Sequence, residues 1–285
     1  MSAAAPRSEA DREAVRDAAR THNLDGYLAS LLAPFASRDD LITLSAYLGE
    51  LRRIPLGVRE AALAQIRLQW WRDAIMSAGG GLHTGHPVAD ALSELVSRRG
   101  LSVDRVLAPL EACEALLSGK IESEAGFAAF LCRAGAAPLH LSGEVLGVAA
   151  DEPTRAFLDA AGRSLASMQL ALDLPGLWAM ERRPVPMSFF GFDQDFQSSE
   201  ENARRKLGDV AMRLMSESRV YRDRARALQP EVARPAVVAA LPVALFGPYI
   251  RAFERADRGR LGGVVTVLPL TRIAVLWLAH RRGRV

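Results

Sequence analysis

The chain has 285 residues, of which 49% are hydrophobic, 24% charged and 6% aromatic, an apolar share that fills a full-sized core and excludes a mainly disordered protein. The formal net charge is only +3, with two lysines (Lys120 and Lys206) against 34 arginines and no basic run interleaved with aromatics, which argues against nucleic acid as a partner. Two cysteines, Cys113 and Cys132, cannot build a disulfide framework and match no zinc spacing, which fits a reducing, cytoplasmic compartment.

Residues 1–22 alternate charge with alanine and hold no apolar h-region, so no secretory signal is expected there and the segment reads as a frayed helix or flexible tail. One helical domain is expected over 23–285. Leu41, Leu44, Tyr47, Leu48, Leu51 and Ile54 recur at spacings of three and four, predicting a helix from Asp40 to Ile54, with residues 37–40 as its cap and acidic first turn. Pro55 and Gly57 break it. A second helix starts near Val58, and its apolar stripe of Leu63, Ile66, Trp70 and Met76 makes Trp70 core and turns Trp71 and Arg72 elsewhere. The loop from Gly79 to Pro87 carries His83 and His86; with no third ligand nearby, they read as a solvated pair and not a metal site.

Further helices are predicted at 88–98, 103–118, 124–147 (bent near Pro138), 152–180 (weakened by Pro175 and Gly176), 199–228, 235–256 and 269–282, with a polar and aromatic connection at 184–197. Cys113 and Cys132 fall on apolar helical patterns and read as core. Arg219, Arg222, Arg224 and Arg226 read as an exposed helix face, or as a contact for an acidic partner or membrane. Only Gly263 to Val267 looks like a strand. The apolar run from Val264 to Ala279 is broken by Pro269 and Arg272 and falls short of the ~20 residues that span a bilayer. It reads as a buried final helix, the alternative being a membrane-surface contact. No internal repeat appears. The fold class is all-α, a single-domain helical bundle.

Two elements carry more than helicity. One is Arg67-Leu-Gln-Trp-Trp-Arg-Asp73; the other is Gln169-Leu-Ala-Leu-Asp-Leu-Pro-Gly-Leu-Trp-Ala-Met-Glu-Arg-Arg183, followed by Phe189-Phe190. In this order, with Asp25-Gly-Tyr27 and Leu44-Ser-Ala-Tyr47 ahead of them and Phe130-Leu-Cys-Arg-Ala-Gly135 between, they resemble the squalene/phytoene synthase family from Asn23 to His280. The resemblance implies an isoprenoid synthase bundle with a central cavity for prenyl chains. Active members condense two prenyl diphosphates head to head. A diphosphate leaves only when metal ions neutralise it, and magnesium takes oxygen ligands, so the family places carboxylates one turn apart on two facing helices.

At the matching positions, Glu50-Leu-Arg-Arg-Ile-Pro-Leu56 puts Arg52 and Arg53 in the first carboxylate slots, with Glu50 offset. The second cluster falls on Leu172, Gly176 and Met180, with Asp173 and Glu181 beside those slots and expected to face another way. Guanidinium groups repel a metal ion. The expectation is therefore a pseudoenzyme without a cofactor, similar to the subset of the family that includes a mitochondrial assembly factor of respiratory complex I. Its expected partners are a prenyl lipid or phosphate-bearing ligand, a respiratory-complex subunit, and a peripheral contact with the inner membrane. The alternative is an active prenyltransferase using magnesium. In the first case Arg52 and Arg53 would meet Arg182 and Arg183 at the cavity mouth and hold an anion directly; in the competing reading Arg53 pairs with Glu50 and Arg183 with Glu181. Small residues at Ala128, Ala129, Gly135, Ala136 and at Ala160, Ala161, Gly162, Ala166 either leave room for an apolar chain or pack two helices closely.

Overall fold

In the computed structural model, which describes residues 8–77, 83–119, 121–190, 200–255 and 265–285, Ser8 starts the first helix, α1 (Glu9–His22), by accepting the Asp11 N–H on its Oγ at 3.1 Å. Val15 and Ala19 are buried in the core beside residues of α3. Residues 9–22 thus form a packed helix and not the frayed tail their charge suggests; two apolar residues one turn apart are enough to seat it. There follow α2 (Leu24–Ser30), α3 (Phe35–Gly57), α4 (Ala61–Met76), α5 (Pro87–Arg99), α6 (Val103–Ser118), α7 (Glu124–Leu131), α8 (Ala137–Val145), α9 (Glu152–Ala179), α10 (Glu200–Leu228), α11 (Arg234–Ala239), α12 (Phe246–Arg255) and α13 (Pro269–Arg282). Among the described residues there is no strand. Of the strand-like run, Gly263 and Val264 lie outside the described residues, and 265–267 are irregular.

Helix α3 begins at Phe35, six residues before its apolar stripe, after Pro34 and without a side-chain cap. Asp40 is consequently no cap. It lies in the second turn, buried, and accepts from Arg98 at 2.6 Å and from Arg99 Nε at 2.9 Å. Carboxylate burial is tolerable here because two guanidinium groups answer it. The predicted helix at 235–256 is split into α11, a 3-10 turn (Leu241–Leu245) and α12, where Pro242 can donate no backbone hydrogen bond.

The predicted bend near Pro138 is a π-helical turn, Cys132–Ala136, between α7 and α8. The Ala137 N–H reaches back five residues to the Cys132 carbonyl, which lets the helix admit a proline at the next position. Against this turn crosses α9, the 28-residue spine of the bundle. Gly135 and Gly162 meet backbone to backbone: a Cβ on Gly135 would stand 1.9 Å from the Gly162 carbonyl oxygen, and one on Gly162 would stand 2.5 Å from the Ala136 nitrogen. The small residues here pack two helices closely.

Gly→Ala inside a helix ordinarily gains about 1 kcal/mol from propensity. Gly162→Ala is expected to reverse that sign and destabilise by about 3 kcal/mol, because the new methyl group meets backbone that cannot step aside. Urea unfolding of the two proteins checks it; a neutral or stabilising substitution would refute the crossing.

Candidate functional site

Helices α2, α3, α6, α7, α8 and α9, the π turn and residues 238–242 line a cavity of about 250 Å³. Most of its wall is apolar, with Leu44, Leu48, Leu116, Phe130, Leu170 and Leu177, and its polar part includes Asp25, Arg52, Gln169 and Asp173. Arg52 leaves α3 one residue after the buried Leu51, and Asp173 leaves α9 one residue before the buried Leu174. They meet across the two helices: Arg52 Nε donates to Asp173 Oδ2 at 2.8 Å and a terminal guanidinium nitrogen to Oδ1 at 2.5 Å. Gln169, one turn before Asp173, turns its amide oxygen to the same guanidinium, at 3.1 Å from one terminal nitrogen. Burial works against the charge on Arg52, but the attraction and hydrogen bonds of Asp173 outweigh it and hold the guanidinium above its usual pKa. Asp173 therefore faces the partner helix, contrary to the direction expected for it.

A second cluster closes the other side. Asp25 accepts from the Tyr249 hydroxyl at 2.6 Å and from Arg272 at 3.1 Å, joining α2 to α12 and α13. Burial, with Asp25 adding to it, pushes the Tyr249 phenol well above its usual pKa. Sequence reasoning passed over Asp25, Gln169, Tyr249 and Arg272 as site residues. The available signal was Arg272 itself, a charge inside an apolar run that needs a buried acid.

The expected ring of four arginines does not assemble. Arg53 turns outward to Glu50 at 3.3 Å and His22 at 3.1 Å, bearing out the local pairing with Glu50. The end of α9 explains the other two. Glu181 takes φ +60, its N–H bonding the Trp178 carbonyl and that of Arg182 the Leu177 carbonyl, a Schellman turn with glutamate in the place usually held by glycine. The turn sends Arg182 inward, where it caps the Val58 and Arg59 carbonyls at 3.2 and 3.1 Å, and leaves Glu181 and Arg183 exposed.

The two tryptophans exchange roles. Trp71 is 4% exposed and packs on Tyr47 with ring centroids 5.5 Å apart, whereas Trp70 is 39% exposed. Helix α4 has two apolar rows, and the one that faces the core is Ala64, Leu68, Trp71 and Ile75; Leu63, Ile66 and Met76 face out. His83 pairs with Asp90 at 2.6 Å and His86 caps α5, so the two do not act together. Cys113 lines the cavity, its thiol pushed up to about 12 by burial, while Cys132 is half-buried.

Asp25 and Asp173 each accept from a guanidinium, and among the described residues no group of three or more His, Cys, Asp or Glu is placed to hold a metal ion. What the arrangement offers is an apolar chamber whose polar part is internally neutralised.

Residues 19–272 match the model of the squalene/phytoene synthase family. The chain is similar to NADH dehydrogenase (ubiquinone) complex I, assembly factor 6, of Bos taurus: 25% identical over 272 residues, which cover 90% of this chain and 79% of that protein. A shorter match, 31% identical over 83 residues, covers 29% of this chain and 25% of the Homo sapiens protein of the same name. Two solved structures share the fold. Squalene synthase HpnC from Alicyclobacillus acidocaldarius superposes with a TM-score of 0.62 at 18% identity, covering 96% of this chain and 94% of that one. A dehydrosqualene synthase in complex with ligand superposes with a TM-score of 0.72 at 12% identity, covering 96% of each chain.

Two measurements check the site. A double-mutant cycle of Arg52→Ala and Asp173→Ala is expected to give a coupling energy of about 1 kcal/mol, since Arg52 remains 38% exposed; strictly additive effects would dissolve the pair. At pH 8, alkylation of Cys113 in the native protein is expected to run roughly a thousandfold slower than in the urea-unfolded chain, because its thiolate is scarce. Equal rates would show an accessible, ordinary thiol.

Proposed function

Because the chain belongs to the squalene/phytoene synthase family, we propose that it keeps the family's chamber for an apolar chain and has exchanged metal–diphosphate chemistry for an internal ion pair, serving as a non-catalytic assembly factor of a respiratory complex. The observation that carries this reading is the contact between Arg52 and Asp173. It stands where the family resemblance calls for carboxylates on two facing helices, and there a guanidinium answers the carboxylate directly. A divalent ion entering the site would meet a fixed positive charge and a carboxylate already bonded twice. Prenyl diphosphate would find no metal-held seat for its leaving group.

Similarity to complex I assembly factor 6 along 90% of the chain supports the assembly role and a respiratory-complex subunit as partner. The apolar cavity wall supports a prenyl lipid or similar chain as ligand. The reading puts the protein in the cytoplasm, peripheral to the inner membrane. The same cavity also favours a second reading, an active prenyltransferase, and one experiment separates the two.

Incubation with magnesium, NADPH and labelled farnesyl or geranylgeranyl diphosphate is expected to release no pyrophosphate. Turnover abolished by EDTA would establish the prenyltransferase. In an affinity pull-down from the native host, respiratory-complex subunits are expected to be enriched over an untagged control; their absence would remove the assembly role.

A further inference from the structure

The C-terminal helix is held in place on one side and left bare on the other. Leu276 and Ala279 of α13 are buried, Arg272 is tied to Asp25, and the segment after the helix is fixed by Gln229 to the Gly283 carbonyl at 2.6 Å and Arg226 to the Val285 carbonyl at 2.7 Å. The opposite face cannot be turned inward without breaking all of these. That face is apolar and open: Leu268 is 73% exposed, Leu270 80%, Ile273 47% and Trp277 49%. The last three are spaced as one stripe of a helix.

Charge selects what covers it. Residues 265–285 contain four arginines, one histidine and no acid. Arg281 and Arg282 follow the stripe in the last turn, pair with no acid among the described residues, and Arg281 lies over the Trp277 ring at 5.3 Å. The other exposed apolar row, on α4, is flanked by Glu60 and Asp73 and lacks this one-signed rim. At 14 residues α13 is about 21 Å long, too short for a hydrocarbon core of roughly 30 Å, and no helix of the described residues can cross a membrane. Apolar side chains on one face, a tryptophan at the boundary and free arginines beside it are the components of a helix that lies in a bilayer interface. We infer that the outer face of α13 is a docking surface for an anionic lipid bilayer, with Leu270, Ile273 and Trp277 entering the headgroup boundary and Arg281 and Arg282 meeting lipid phosphates. This assignment does not rest on the non-catalytic reading.

The test is co-sedimentation of the full chain with vesicles of phosphatidylcholine alone and of phosphatidylcholine mixed with phosphatidylglycerol. The wild type is expected to bind the mixed vesicles, more weakly as salt is raised. Leu270→Glu, at an 80% exposed position that leaves the fold intact, is expected to weaken binding about tenfold. Arg281→Glu with Arg282→Glu is expected to weaken binding to mixed vesicles at least about twenty-fivefold, at about fivefold per arginine, and to leave binding to neutral vesicles unchanged. Thermal unfolding of each variant confirms that the fold is retained. Binding to mixed vesicles no better than to neutral ones would overturn the assignment, as would wild-type binding by Leu270→Glu. So would a dimer in sedimentation equilibrium that Leu270→Glu dissociates, which would give the face to a second copy of the chain.

Discussion

A carboxylate drawn into a helical bundle gives up its hydration, and a positive group must answer it at bonding distance. In this chain arginine answers. Asp40 of α3 is bridged by Arg98 and Arg99 of α5, Asp25 of α2 by Arg272 of α13, Asp173 of α9 by Arg52 of α3, and Glu114 of α6 by Arg72 of α4. Each pair joins helices distant in sequence, so the pairs fix how the bundle closes as well as neutralising it. The preference for arginine over lysine has a reason in geometry, since a planar fork makes two bonds to one carboxylate, as Arg52 does. Each oxygen of Asp173 accepts from Arg52.

Much of the helical plan was legible in the sequence because the ends carry their own chemistry. Helices α6 and α13 begin and stop where their signals say: Ser102 caps the first by accepting the Arg105 N–H, Gly119 and Gly283 take the left-handed turn past the ends, and Pro269 opens the second. What stayed hidden was rotation. Helices α4 and α13 each carry two apolar rows, and spacing alone marks both without saying which the neighbours cover; hence the exchange of Trp70 and Trp71, and the bare face of a helix that reads as buried. Asp173 was hidden for the same reason. The rotation of α9 is set by its contact with the π turn at Gly162, a tertiary constraint that no local pattern records. In α1 the buried apolar residues are only Val15 and Ala19 against seven charged residues, too sparse to separate a packed helix from a solvated one.

The small residues around Gly135 and Gly162 had two readings in the sequence, a seat for an apolar chain or a close helix crossing. They serve both. The backbone contact pulls α9 against the π turn, and Ala134, Gly135 and Ala166 present what little side chain they have to the cavity wall. A larger residue at the crossing would push the helices apart, and larger residues beside it would fill the chamber. The π turn belongs to the same device, because the extra residue it accommodates lets Pro138 enter α8 while the chain continues past the cavity.

Asp25 ties these features into one mechanical unit. Its carboxylate lines the chamber, and its two partners hang from α12 and α13. Arg272 is the inward anchor of the helix whose outer face is bare, and it interrupts an apolar stretch that would otherwise be free to settle in either direction. An uncharged residue at 272 would remove the polar tie between α13 and the cavity wall and leave the ties from Gln229, Arg226 and Arg234 at the C-terminal end of the helix. The charge at Arg272 therefore helps to fix which side of α13 is core and which is surface, through a residue of the cavity wall. The chamber and the exposed face are two ends of one ion pair.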